Sequence, residues 1–481
     1  VITDDIIYFA EPMFQDGIIA QAVDQVKARG VSSFSAAQND GRRSYESPFR
    51  PSGITFNYVV DGVVLSGEPH DFDPGPGIDI CQQITIPAGE GLNLVFQWDQ
   101  PFFSVSGGPG SQSDMDILLE NADCTGYFNP PGQGFENNLG RDPFEFVGFS
   151  NGGPATTFGV IIVRFAGPAP GLMKTVFLDT TRGAQITIDE FDTRSGTSYG
   201  HSNAQGGLGV GAAFYRETPA FGTTPPVPRI QAFSSAGGVP ILFGTAGNRL
   251  PVPQFRQQPA LVAPDGVNTT FFGSGDVEGD GLPNFFGTSA AVPHAAGVAA
   301  LLKDLNPAAT PDQIYDVLKA AAIDMDDPDI PGFQTGFDFR SGFGLIRADV
   351  TFGPPPPPPP FEAEPARPRF NCRSAARCRV PVACNLAQIA GNCGNRIDVL
   401  VPSRALRTAG EVLANGPRQI QFGASVTNVP PGAIGNVRLT LPKRIRNFVR
   451  KTRKKSIRGV MQIRSAGGTA IETRPIRIRL K

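Results

Sequence analysis

The apolar pattern of this chain changes its period twice, and that limits the folds open to it. In FQDGIIAQAVDQVKAR, residues 14–29, Ile19, Val23 and Val26 fall on one helical face, and Gly30 supplies a stop. VSSFSAA, Val31 to Ala37, then reads as a short buried strand entering the turn QNDG, and helix followed by buried strand is an α/β signature. From about residue 57 to 192 the pattern is apolar alternation broken by Gly/Pro clusters, as in CQQITIPAGEGLNLVFQW and FGVIIVRFAG, which predicts a β-sandwich. Small residues return around 193–250, and PALVAP leads into FFGTSAAVPHAAGVAALL, Phe285 to Leu302. An α/β domain interrupted by a sandwich is the expected architecture.

The length of 481 residues and a hydrophobic fraction of 40% allow two or three domains with sizeable cores. With 57 glycines, 46 prolines and 18% charged residues, the chain favours turn-rich β structure over long charged helices, a composition of secreted more than cytosolic proteins. Thr310 is placed to cap a helix that begins at Pro311 and buries Ile314, Val317, Leu318 and Ala321. Seven prolines, Pro354 to Pro360, form a stiff spacer within the linker 353–361. After it, residues 362–481 show strand-like alternation and a Gly-Gly turn at 467–468, which predicts a second, small β domain.

The net charge of -2 hides an opposition: residues 361–481 hold 24 Lys+Arg against 5 Asp+Glu, leaving 18 against 39 upstream. Nine of those cations lie in KRIRNFVRKTRKKSIR, Lys443 to Arg458. Such a run attracts anionic polymers, including those of cell envelopes; without interleaved aromatics or a nucleic-acid motif, specific nucleic-acid binding is not expected. Cys372, Cys378, Cys384 and Cys393 have no histidine nearby and lack zinc spacing, so disulfides in an oxidising compartment are expected, with the pairing open. Cys81 and Cys124 are a candidate pair within the sandwich. No apolar run is long enough to cross a membrane, and Val1 does not open a signal peptide.

Ser289 sits where a strand–turn–helix junction would present it. A serine hydroxyl attacks a carbonyl when a base removes its proton and donors stabilise the oxyanion, and a helix N-terminus supplies free N–H groups for the second task. Gly287 before it permits close approach of a substrate backbone, Pro293 falls early in the helix, and Gly297 with the alanines suits tight packing. A Gly-Thr-Ser turn alone is more often the plain cap of a buried helix.

The longer string decides for the sharper reading. GTSAAVPHAAGVAALL resembles the serine motif of the subtilases, the subtilisin-like serine peptidases, at Gly287, Thr288, Ser289, Pro293, His294, Ala296 and Gly297. SAAQND resembles the subtilase strand whose asparagine donates to the oxyanion, here Asn39, and FSSAGG, PALVAPDGV and SGFGLIRADV resemble later segments in the same order. Gln38 replaces the family's usual glycine, a departure that a shifted turn would accommodate. The resemblance implies an α/β fold with a subtilisin-like doubly wound parallel sheet, carried by residues 1–56 and 193–352, with the 57–192 sandwich inserted.

That resemblance also implies an aspartate and a base, His or Glu, ahead of the oxyanion asparagine. His70, His201 and His294 lack the family's His-Gly-Thr setting. His294 matches a structural helix histidine of relatives, His201 reads as a loop residue and His70 belongs to the sandwich. Asp4 and Asp5 in VITDDIIYF read as solvated or strand-end carboxylates on a segment resembling the substrate-side strand. The chain is therefore expected to begin inside the domain and, as given, to be nearly inactive.

Asp276, Glu278 and Asp280 in GSGDVEGDGLPN are calcium candidates, since subtilases often hold calcium, although the spacing departs from an EF-hand. No cofactor is required by the chemistry. The sandwich resembles jelly-roll modules of secreted bacterial peptidases, either restricting access or holding polymeric substrate, and Trp98 is expected in its core. The resulting expectation is a secreted or cell-surface serine endopeptidase acting on proteins or peptides through Ser289. Its rival is a non-catalytic binding or surface protein on the same scaffold.

Overall fold

The computed structural model describes residues 1–351 except 61, 126–131, 181–184, 222–227 and 271–274, and beyond them the backbone of strands between Ala363 and Leu480. The chain divides into two compact units, Val1–Gly353 and Pro354–Lys481.

In the first unit the α/β part is built on a parallel sheet of four strands in the order Ile2–Asp4, Ser33–Ala36, Leu208–Phe214, Leu261–Asp265. The first helix, Ile18–Ala28, turns Ala20 and Val23 inward and stops at Gly30, whose φ of 84° suits a residue without a Cβ. The serine helix, Thr288–Leu305, packs Ala291, Val292, Ala295 and Ala299 on Phe34, Val210, Ala212, Leu261 and Ala263 of the sheet. Alanines on that face leave room for strand side chains, and this is the subtilisin-like layer expected from the sequence.

Two details of the helices differ from expectation. Gly297 faces outward with open space where a Cβ would stand, so the alanines alone make the close packing. Pro293 lies within the helix and withholds the N–H that the Ser289 carbonyl would otherwise accept. The helix Pro311–Ala321 has the expected Thr310 cap, completed by Gln313 as a capping box. Val317 is 41% exposed, however, and Tyr315 takes its inward place, its hydroxyl accepting from the Ser33 N–H at 2.8 Å.

Between the strands Ser33–Ala36 and Leu208–Phe214, two antiparallel sheets stack face to face. One runs Phe144–Ser150, Gly91–Trp98, Met173–Asp179, Ser44–Ser47; its edge strand Ser44–Ser47 precedes residue 57 in the chain. The other contains Gln82–Ile86, Thr156–Ala166, Val63–Pro69 and Phe56–Val60, with Asp114–Asn121 beside Thr156–Ala166. Leu94, Phe96 and Trp98 point into the core between the sheets with Ile84, Met115, Ile117 and Ile162. On the opposite face, Val95, Val176 and Leu178 pack on Met13, Phe14 and Leu242 of the α/β part. Period-two alternation thus gives one sheet two buried faces. Trp98 is fully buried, donating to the Ser111 hydroxyl at 3.0 Å, and a disulfide joins Cys81 to Cys124.

The second unit contains a sheet of Ala363–Pro365, Arg377–Cys384 and Ile434–Thr440, and another of Arg369–Cys372, Ile471–Leu480, Ser456–Ser465, Cys393–Pro402 and Gln419–Val429. The polyproline linker, the Gly-Gly turn, the tail cysteine side chains and the basic run to Lys455 lie outside the described residues. Among the described residues no helix is long and apolar enough to cross a membrane.

Candidate active site

The strand Ser33–Ala36 delivers Asn39 to the start of the serine helix. Ala37 continues the sheet by donating its N–H to the Val210 carbonyl at 3.0 Å, after which the backbone turns at Gln38. Gln38 has φ of 79°, the left-handed region that glycine occupies without strain. A glutamine here holds a backbone shape that glycine adopts more readily. Its side chain is buried and donates to the Tyr199 carbonyl at 3.4 Å.

Asn39 Oδ1 accepts from the Thr288 N–H at 2.9 Å and from the Thr288 hydroxyl at 3.1 Å. Because that N–H can only donate, the amide orientation is chemically fixed, and the Asn39 NH2 is left facing away from it as a donor. Asp265, at the end of the strand Leu261–Asp265, accepts the Gly287 N–H at 2.9 Å. Burial raises the pKa of the fully enclosed Asp265, while the hydrogen bonds from Gly287 and Gln231 oppose the rise. With Asp265 occupying the N–H of Gly287 and Asn39 that of Thr288, the next N–H in line at the helix start belongs to Ser289. Ser289 itself is 9% exposed.

The remaining segments hold this junction. The Ser235 hydroxyl accepts the Asp40 N–H at 3.0 Å, and the Ser234 hydroxyl accepts that of Ala212 at 2.9 Å. Behind them, buried Arg340 hydrogen-bonds the carbonyls of Ser234 and Ala232. Four of the motifs, holding Asn39, Ser235, Asp265 and Thr288, are thus hydrogen-bonded into one junction at the start of the serine helix. The three motif serines have different tasks: two fix turns, and Ser289 stands at the helix N-terminus.

No histidine partners Ser289 among the described residues. His294 Nδ1 hydrogen-bonds the Ala290 carbonyl at 2.7 Å on its own helix, a structural role. His70 is fully buried in the sandwich against Tyr45, and burial lowers its pKa to about 3. His201 lies in the short helical turn Gly200–Asn203 rather than an open loop, and Asp4 is the strand-end carboxylate expected, here hydrogen-bonded to it. His201 Nε2 meets Asp4 Oδ1 at 2.8 Å and its Nδ1 meets Glu11 Oε2 at 2.6 Å, with the imidazole buried. Burial disfavours the imidazolium, but hydrogen bonds and charge from Asp4 and Glu11 outweigh it and lift the pKa to about 9. Asp5 is exposed. The three partners are spread from residue 4 to 201, so no local pattern could have revealed them.

The calcium candidates do not converge. Asp276 accepts from the N–H groups of Asp280 and Gly281 at 3.0 and 2.7 Å, and Asp280 from Leu282 and Asn268. Glu278 is occupied by the Tyr215 hydroxyl and, at 2.8 Å, by Asn284. Among the described residues no group of three or more His, Cys, Asp or Glu is disposed to hold a metal ion.

Residues 170–344, which include Ser289 but not Asn39, match the Subtilase family, Peptidase_S8. A curated relative, alkaline elastase YaB of Bacillus sp. (strain YaB), is 38% identical over 104 residues, covering 21% of this chain and 23% of the relative. This chain thus matches about a quarter of that protein's length. Among solved structures, Sphericase is similar at 22% identity over 31% of this chain and 43% of its own, with a TM-score of 0.22. S41 Psychrophilic Protease is similar at 25% identity over 32% and 45%, also with a TM-score of 0.22. Residues 170–344 are thus similar to the subtilase family, and within them the start of the serine helix meets Asn39.

Proposed function

We propose that this protein is a serine endopeptidase in which Ser289 attacks the peptide carbonyl and forms an acyl-enzyme that water hydrolyses. The Asn39 NH2 and the Ser289 N–H would donate to the oxyanion. The observation that carries this reading is the contact of Asn39 Oδ1 with the N–H of Thr288, the residue before Ser289, at 2.9 Å, which turns the amide's donor end away from that N–H. No His, Asp or Glu among the described residues hydrogen-bonds Ser289, so turnover by the described residues alone is expected to be slow. The test is hydrolysis of a protein substrate by the full-length protein, with trapping of the acyl group on Ser289. Absence of both would end the proposal.

A second reading, a non-catalytic binding or surface protein on the subtilase scaffold, is favoured by the lack of a hydrogen-bond partner for the Ser289 hydroxyl among the described residues. Secretion or surface location is supported by the Cys81–Cys124 disulfide. Retention on an anionic cell-surface polymer through residues 443–458 is supported by their charge, and elution that ignores salt would contradict it. The peptidase chemistry requires no cofactor. A structural calcium ion at 273–284 rests only on local carboxylate density, and a Tm indifferent to calcium would remove it.

A further inference from the structure

The serine helix begins without a cap of its own. Its N-cap residue is Gly287, which has no side chain to offer, and its first turn holds no acidic residue. The carboxylate comes instead from earlier in the chain: Asp265, fully buried at the end of the strand Leu261–Asp265, accepts the Gly287 N–H through Oδ2 at 2.9 Å. Its other oxygen accepts from Gln231 Nε2 at 3.1 Å, and the Gln231 N–H is itself held by the Ala212 carbonyl at 2.8 Å. Gly266 extends the clasp: its N–H donates to the Phe285 carbonyl at 2.8 Å, and its carbonyl accepts from Asn284 Nδ2 at 2.8 Å.

This arrangement decides which N–H is left over. That of Gly287 goes to Asp265, that of Thr288 to Asn39, and that of Ala290 to the Gly287 carbonyl at 2.9 Å. The Ser289 N–H has no acceptor among the described residues. Gly287 has φ of 119°, so no side chain of its own restrains the backbone there. Once released, Gly287 is free to rotate, and the peptide planes of Thr288 and Ser289 turn with it.

We propose that Asp265 is a positioning residue for acyl transfer: by clasping the Gly287 N–H it fixes the backbone so that the Ser289 N–H faces the carbonyl under attack. This rests on the peptidase reading. The role needs an acceptor at residue 265 rather than its charge. Asparagine there can present Oδ1 to Gly287 while the Gln231 amide turns to receive its NH2, whereas alanine leaves a buried N–H unpaired.

In the full-length protein, Asp265→Ala and Asp265→Asn are compared by fluorophosphonate titration of Ser289, by kcat and KM on a peptide per titrated site, and by amide hydrogen exchange over residues 284–291. Asp265→Ala is expected to lower kcat about a hundredfold with KM within about threefold, and to raise exchange about tenfold. Asp265→Asn should keep kcat within about fivefold of wild type. A merely structural role would lower Tm and the titrated fraction while leaving kcat per site unchanged. That result overturns the proposal, as does an asparagine variant that loses as much as the alanine one. Should Asp265→Ala fail to fold, Gln231→Met, which frees the other carboxylate oxygen, takes its place; kcat is expected to fall about threefold, and an unchanged kcat overturns the proposal. A wild type neither labelled nor active removes the peptidase reading and the catalytic role with it, while unchanged exchange in Asp265→Ala overturns the clasp by itself.

Discussion

Asn39 and Thr288 are 249 residues apart in sequence, and the side-chain oxygen of the first accepts the backbone N–H of the second at 2.9 Å. One hydrogen bond thus joins the end of a sheet strand to the start of the serine helix across the whole inserted sandwich. It also orients the side-chain NH2 of Asn39, the donor proposed for a reacting carbonyl.

Replacing Asn39 with alanine removes that donor and the cap on Thr288. Loss of one oxyanion donor costs about 10²–10³ in kcat. Steady-state kinetics of Asn39→Ala should show this with KM little changed, and a loss below about tenfold would speak against the role.

Gln38 holds a backbone conformation that side chains rarely adopt. Gln38→Val adds a β-branched residue at positive φ and is expected to destabilise by about 1–3 kcal/mol, whereas Gln38→Gly should stay within about 1 kcal/mol of wild type. Denaturant titration of the three proteins gives the ranking; an unaffected Gln38→Val would place the turn elsewhere.

His201 sets an alkaline limit on stability. Its pKa, about 9 in the fold, lies above the ordinary value of 6.5, so its contribution is fully present below pH 6.5 and disappears as pH rises through 9. The difference is up to about 3 kcal/mol. His201→Gln should therefore be less stable than wild type at pH 6, and the gap should narrow by pH 10. A gap independent of pH would mean that the imidazole is neutral.

The sandwich carries carboxylates shifted the same way for a different reason. Burial raises Glu145 to about 8 and Asp116 to about 7, with Asn138 donating to Glu145 at 2.9 Å. Raised carboxyl values mean that stability is lost as pH climbs from the ordinary range near 4.5 through 8. Glu145→Gln keeps the acceptor for Asn138 and removes the charge, so its Tm should exceed wild type at pH 8.5 and match it near pH 4. Equal melting at pH 8.5 would contradict the buried charge.

How far the sequence was legible follows from how local each signal is. Ser289, its helix and the Thr310 cap were readable because a few neighbouring residues specify them. Asn39 was readable only through resemblance, and the conformation of Gln38 could not be foreseen, since propensity argues against it. Gly297 and Val317 were assigned to packed faces because a 3.6-residue period shows that a stripe exists but not which neighbours cover it. The Asp4–His201–Glu11 group joins residues far apart in the chain, beyond any spacing argument.

The most direct measurement is reaction of the folded full-length protein with a fluorophosphonate, with the modified residue located by peptide mass spectrometry. The account predicts a single adduct on Ser289, absent from Ser289→Ala and formed at least about a hundredfold more slowly in Asn39→Ala. A folded protein that leaves Ser289 unmodified would contradict it.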